Sequence, residues 1–199
     1  MIAIANAIVL LLSSVLFSVL YIASVRPAAA ARRIGDRAWG RSKRLRIWAS
    51  VFEVIVLACY VLYHYYPLDT PLAPRLPWPY SVSIGLAVLI GVPSIWVMLR
   101  GVRDAGEEAL TPRPEHTMYG GIYDKIRHPQ ALGEAFLFPA AALILDSAHL
   151  SLYSLLWLPV FYLFCVMEER DLLLRYGDAY REYMEQTGMF LPKVSRRAA

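Results

Sequence analysis

Arg127-His128-Pro129-Gln130-Ala131-Leu132-Gly133-Glu134 opens an apolar stretch that runs, with one short break, to Met167, where Glu168-Glu169 and then Tyr176-Gly177-x-x-Tyr180-x-x-Tyr183 follow. The interior reads as two membrane-crossing helices, Ala131–Leu145 and Leu150–Met167, joined by the turn Asp146-Ser147-Ala148-His149. A helical hairpin returns its ends to one side, so the groups before and after it can form one site at the membrane edge. The first arm is short and contains Glu134 and Pro139, which predicts a helix partly shielded by protein rather than one wholly facing lipid.

The whole chain has the composition of an integral membrane protein. Of its 199 residues 58% are apolar and only 18% charged, with a mean hydropathy of +0.44. A bilayer core about 30 Å thick needs about 20 residues of apolar helix. Besides the two hairpin arms, Ile2–Val25, Ile47–Tyr66 and Tyr80–Leu99 meet that requirement. The expected fold is therefore all-α, one membrane domain over 1–199 with about five transmembrane helices and a helical C-terminal tail. No internal repeat or separate soluble domain is visible. Gly91 and Pro93 predict a kink in the third helix.

The segment from Arg26 to Arg46 carries eight cations against Asp36 alone, which by the positive-inside rule makes it cytoplasmic and puts the N-terminus outside. Gly101–Arg127 and the tail after Met167 then share the cytoplasmic face. The apolar start lacks a basic n-region and its cations follow the apolar run, so it is expected to remain as a helix rather than be cleaved. The net charge of +4 sits next to the membrane, which favours anionic lipid headgroups over nucleic acid as a partner. Cys59 and Cys165 fall inside apolar helices, and no disulfide framework or metal-ligand spacing is present. His64, His116 and His149 are scattered and read as interfacial hydrogen-bonding groups.

Pro129 suits the first position of a helix, and His128 before it is biased toward extended backbone. The helix start and Arg127 together favour an anion such as a carboxylate. Glu168 and Glu169, where the last arm leaves the membrane, suit a cationic ligand or face water, and Glu134 is an intramembrane acid with a functional or ion-pairing role. Tyr176, Tyr180 and Tyr183 form an interfacial belt or wall an aromatic pocket. Gly177 is a stop signal, Asp178 a cap for a second short helix, and Met189-Phe190-Leu191-Pro192 a segment able to dock back on the membrane face. Dinucleotide, phosphate-loop, zinc-protease and serine-hydrolase signatures are absent.

Gly121-Ile122-Tyr123-Asp124-Lys125-Ile126-Arg127-His128-Pro129, Gly133, Glu168-Glu169 and Tyr176 through Tyr183 to Pro192 together resemble the isoprenylcysteine carboxyl methyltransferase family, especially its short prokaryotic members. The motif region is 117–192. The resemblance implies a multi-helix membrane fold without a Rossmann domain, with S-adenosylmethionine bound at the cytoplasmic end of the hairpin. It implies Arg127, Glu168 and Glu169 as catalytic-site residues, and Gly121, Tyr123, His128, Pro129, Gly133, Tyr180 and Tyr183 as the cofactor site. Ala131 and Glu134 then face a lipid-like or prenylated small-molecule acceptor, and no metal is implied. The family commonly has an aromatic residue where this chain has Ala131, which leaves acceptor identity open. A methyltransferase acting on a phospholipid amine or a thiol, a membrane reductase using a nicotinamide cofactor, and a small transporter or assembly subunit whose Glu53, Glu134 and Glu168-Glu169 line a cation path are the alternatives.

Overall fold

Glycines set the closest helix contact in this protein. In the computed structural model, which describes residues 1–115 and 120–193, a Cβ built on Gly133 would lie 2.4 Å from the Ser94 carbonyl oxygen, and one on Gly101 2.8 Å from the Gln130 side chain. The helices bearing them, α4 (Tyr80–Ala105) and α5 (Pro129–Ile144), therefore lie backbone to backbone. Before them come α1 (Ile2–Ser24), α2 (Pro27–Ile34) and α3 (Arg37–Tyr65), and after them α6 (Ala148–Ser154), α7 (Trp157–Tyr176) and α8 (Asp178–Gln186). The pair α1 and α3 packs along its length, and α7 sits between that pair and α5.

Among the described residues four helical stretches are long and apolar enough to cross a membrane: Ile2–Ser24, Arg37–Tyr65, Tyr80–Ala109 and Ala148–Tyr176. The expected fourth span is the exception. At 16 residues α5 measures about 24 Å, short of the bilayer core, and α4 and α7 cover it as its Glu134 and Pro139 predict. Two other boundaries shift. The second long helix begins at Arg37, not Ile47, and the third runs on to Ala105, because both continue beyond their apolar stretch into charged sequence.

Aromatic rings fill the centre. Phe138 of α5 stacks on Trp157 of α7 with ring centroids 4.5 Å apart, and Phe17, Phe161 and Phe164 close around them. Two buried donors there are paired: Trp157 donates to the Tyr60 hydroxyl at 3.2 Å, and the Asn6 amide donates to the Cys59 carbonyl at 3.0 Å, while the Asn6 side-chain carbonyl oxygen and the Tyr63 hydroxyl have no partner among the described residues. Outward, Leu12, Val54, Val61 and Leu89 stay exposed, as lipid-facing positions require.

The two ends of the bundle differ. At one, Tyr80 donates to the Ile144 carbonyl at 3.0 Å and Ala148 N–H donates to the Pro74 carbonyl at 3.2 Å, with the hairpin turn made by Asp146 at φ 49° and by Ser147, which caps α6. At the other, charged end, the Arg175 guanidinium meets Glu108 at 2.6 Å with both side chains buried, and Asp171 of α7 accepts the Ala28 and Ala29 amides of α2 at 2.9 and 2.7 Å. Gly177, at φ 59°, stops α7 as its sequence position suggests. Asp178 is the first residue of α8 rather than a side-chain cap, its carboxylate turning instead to Arg181 at 2.7 Å.

Candidate active site at the charged end

Pro129 occupies the first position of α5 and forces His128 out of helical backbone, so the chain arrives at the bundle extended. That extended stretch takes a partner. Arg127 N–H donates to the Gly188 carbonyl at 2.9 Å and His128 N–H to the Met189 carbonyl at 3.2 Å, forming with the Ile126 to Gly188 bridge a short parallel strap. The segment after α8 thus docks on residues 126–128, not merely on a membrane face.

The strap fixes two cationic side chains against the glutamates of α7. Arg127 Nε lies 2.7 Å from Glu169 Oε1, and the same guanidinium donates to the Met184 carbonyl at 3.3 Å and to the Thr187 carbonyl. His128 reaches Glu169 through Nε2 at 3.0 Å and Glu168 through Nδ1 at 3.4 Å. Burial opposes charge on His128, but its hydrogen bonds to Cys165, Glu168 and Glu169 outweigh it and hold its pKa well above the ordinary value. Both ring nitrogens of His128 are thus committed to the two carboxylates.

A cavity of about 50 Å³ lies beside this cluster, lined by Tyr123, Arg127, His128, Ala131 and Glu168 together with Arg46 of α3 and Tyr21 of α1. Arg46 donates from Nη1 to the Glu108 and Ala109 carbonyls at 3.0 and 2.7 Å, while its buried Nε has no hydrogen-bond partner among the described residues. An unpaired guanidinium N–H costs free energy unless an acceptor arrives. The cavity is thus lined by three cationic groups, Arg46, Arg127 and His128, and by Glu168 as the acid.

The tyrosines brace this arrangement. Tyr183 donates to the Tyr123 carbonyl at 2.6 Å, the Tyr123 hydroxyl donates to the Gly101 carbonyl at 3.2 Å and accepts from Gln130 at 2.7 Å, and the Tyr180 ring lies 5.6 Å from that of Tyr183. Burial pushes the Tyr183 phenol up to about 12 against the pull of Arg127, and burial raises the phenols of Tyr123 and Tyr180 as well. All remain neutral donors.

Other residues singled out from the sequence lie away from the cavity wall. Gly133 touches α4, where its missing Cβ is explained by packing. Gly121, at φ 70°, leaves room for Asp104, which accepts the Ile122 amide at 2.8 Å. Glu134 sits a turn deeper, against Glu53 of α3. His64 and His149 are at the opposite end, and His116 lies outside the described residues. Tyr21, Arg46 and Cys165 enter the site without any local sequence signal. Only the burial of Cys165 and the eight-cation run around Arg46 hinted at them.

Known proteins carry the same segment. The phospholipid methyltransferase family model matches residues 82–179, which spans α4, the cavity-lining segment, α5 to α7 and the start of α8. Methanethiol S-methyltransferase 1 of Bradyrhizobium diazoefficiens is 33% identical over 87 residues, 44% of this chain and 29% of that protein. Methanethiol S-methyltransferase 2 of the same organism is 28% identical over 109 residues, 55% of this chain and 38% of that protein. The chain thus spans well under half the length of these relatives. No solved structure matches it. The order of motifs around the hairpin and the buried ion cluster they build coincide with the matched segment: residues 82–179, just under half of the chain, are similar to the phospholipid methyltransferase family.

Proposed function

We propose that this protein transfers a methyl group from S-adenosylmethionine to an acceptor that reacts as an anion, at the cytoplasmic membrane face. The observation that supports this reading is the cavity between α1, α3, α5 and α7, where Arg46, Arg127 and His128 face Glu168 and the Arg46 Nε hydrogen is unpaired. The donor set fits the cofactor. Arg46 would hold its carboxylate, and Glu168 its ammonium or ribose hydroxyls. The volume fits only a part of it, since sites for molecules of this size measure about 300–1,000 Å³. Binding must therefore widen the cavity, and the short 3-10 turn Gly106–Ala109 and the side chain of Leu172 are the wall elements that would have to shift.

When bound, S-adenosylmethionine supplies an electrophilic methyl group whose carbon–sulfur bond breaks with the electron pair left on sulfur. The protein's own residues then orient and desolvate. Attack by an anion on a sulfonium lowers charge separation, so a site screened from water does not oppose it. Arg46 and Arg127 draw the anion in, and Ala131, small where the resembling family has a ring, leaves room for it beside Gln130. Nothing here needs to remove a proton from a carboxylate acceptor, which agrees with His128 being spent on Glu168 and Glu169. An amphiphile whose carboxylate reaches in from the bilayer fits best. A thiolate is the second reading, favoured by the two similar methanethiol S-methyltransferases and by the cations, which lower a thiol's pKa.

The test is the bond formed. Reconstituted protein given methyl-labelled S-adenosylmethionine should label a farnesylated cysteine derivative with a free carboxylate, leave its amide untouched, and yield a product that releases methanol in alkali. Alkali-stable label on a thiol would move the assignment to the second reading. No transfer to either acceptor, with the protein folded, would remove both.

A further inference from the structure

Away from the cavity just described, the same end of the bundle has a second basic feature. Arg26, Arg33 and Arg41 line a groove of about 310 Å³ between α2 and α3. None of the three side chains makes a hydrogen bond or ion pair with a described residue, and all three are exposed. Asp171, the acid whose charge Arg26 helps to stabilise, accepts the Ala28 and Ala29 amides, one on each oxygen. Asp36, the acid within the Arg26 to Arg46 segment, is outside the lining. Since Asp171 already takes the amide end of α2, the guanidinium groups and not a helix terminus carry the positive potential of the groove.

Apart from Ser42, whose hydroxyl donates to the Ser24 carbonyl, the remaining wall is apolar. Ala23, Ala30 and Leu45 contribute to it, and Ile34 at its rim is 43% exposed. One turn further along α3, Ile47 and Trp48 are exposed, 42% and 58%, and tryptophan at such a depth marks the membrane interface. The groove lies where α1 leaves its apolar span at Ser24 and before α3 enters its own, which is the depth of lipid phosphates rather than of bulk water.

We propose that this groove binds the phosphodiester headgroup of an anionic phospholipid, with the acyl chains lying against the exposed apolar faces of α1 and α3. Three unpaired planar guanidinium groups match the oxygens of one phosphodiester. Ile34, Ile47 and Trp48 give the chains a surface that a free anion would not use. The site is independent of the methyl-transfer reading and shares no lining residue with the cavity at His128.

Native mass spectrometry and thermal denaturation of the full chain in detergent, with phosphatidylglycerol, phosphatidylcholine or inorganic phosphate added, test this. Phosphatidylglycerol should be retained on the wild-type protein and raise its melting temperature, and the other two should not. Replacing Arg26, Arg33 and Arg41 together by Gln should weaken phosphatidylglycerol binding at least tenfold. Replacing the exposed, non-lining Arg32, Arg37 and Arg44 by Gln should change it less than threefold. Equal losses in the two triple variants would mean diffuse attraction by a basic segment and overturn the site. Stabilisation by inorganic phosphate equal to that by the lipid would overturn the lipid as occupant. Should the first triple variant fail to fold, Arg33→Gln alone decides, with a loss of at least twofold expected and none contradicting the proposal.

Discussion

Arg127 and Glu169, 42 residues apart in sequence, form an ion pair 2.7 Å long in which the two side chains are only 8% and 9% exposed. This contact ties the start of α5 to α7, and through the Met184 and Thr187 carbonyls the same arginine holds the end of α8. A charge so buried is tolerated because its partner is in place, so the pair should be dispensable together far more readily than singly.

Arg127→Ala and Glu169→Ala are each expected to destabilise the protein by about 3–5 kcal/mol, the cost of leaving a buried charge without its partner. The double variant should cost clearly less than the sum. Denaturation followed by intrinsic fluorescence checks this, and strict additivity would mean that the two groups do not act on each other.

The second expectation concerns pH. His128 has a folded pKa raised above its ordinary value of about 6.5, so the stability it contributes is complete below that value and is lost as pH rises through the folded one. As pH rises above about 6.5 the wild-type melting temperature should fall more steeply than that of His128→Gln, which should be lower at neutral pH and flatter. Parallel profiles would show that His128 does not titrate against Glu168 and Glu169.

Packing of α4 on α5 gives a third test. Gly133→Ala places a methyl group 2.4 Å from a backbone oxygen and should cost about 1–3 kcal/mol or more. Gly85→Ala, where a Cβ meets nothing within 4 Å, should be neutral or stabilising by up to about 1 kcal/mol. Thermal denaturation of both in one detergent separates them, and equal effects would contradict the close approach.

The hairpin and the two charged clusters were legible because their signals are local: a proline at the helix start, a glycine at the stop, and acids where an apolar run ends. Arg46, Tyr21 and Cys165 were not, since each sits within or beside another helix and joins the site only when α1, α3 and α7 pack against α5. The strap from Gly188 to Met189 was equally hidden, because the amides it satisfies belong to residues 127 and 128, about sixty positions earlier. Arg127 itself was visible, yet its three partners were not. The shielding of α5 is legible as well, since its shortness, Glu134 and Pro139 point to protein cover and α4 and α7 supply it.

The proposed sidedness rests on the cation distribution and is open to chemical labelling. In a protein lacking Cys59 and Cys165, single cysteines at Lys43, Thr70 and Glu182, all exposed, would meet an impermeant thiol reagent added outside intact cells. Only the cysteine at position 70 should react. Labelling at 182 from outside would put the charged end, and the site with it, on the opposite face.

Equilibrium binding of labelled S-adenosylmethionine to purified protein in lipid nanodiscs tests most directly whether the cavity beside Arg127, His128 and Glu168 holds this cofactor. Saturable binding at one site is the expected result. Arg46→Gln and Glu168→Gln should each weaken it about ten- to a hundredfold, the loss of one charge-assisted hydrogen bond worth about 1.5–3 kcal/mol, while Lys193→Ala leaves it unchanged. No saturable binding by the folded wild-type protein, or affinity unaltered in both cavity variants, would contradict that assignment.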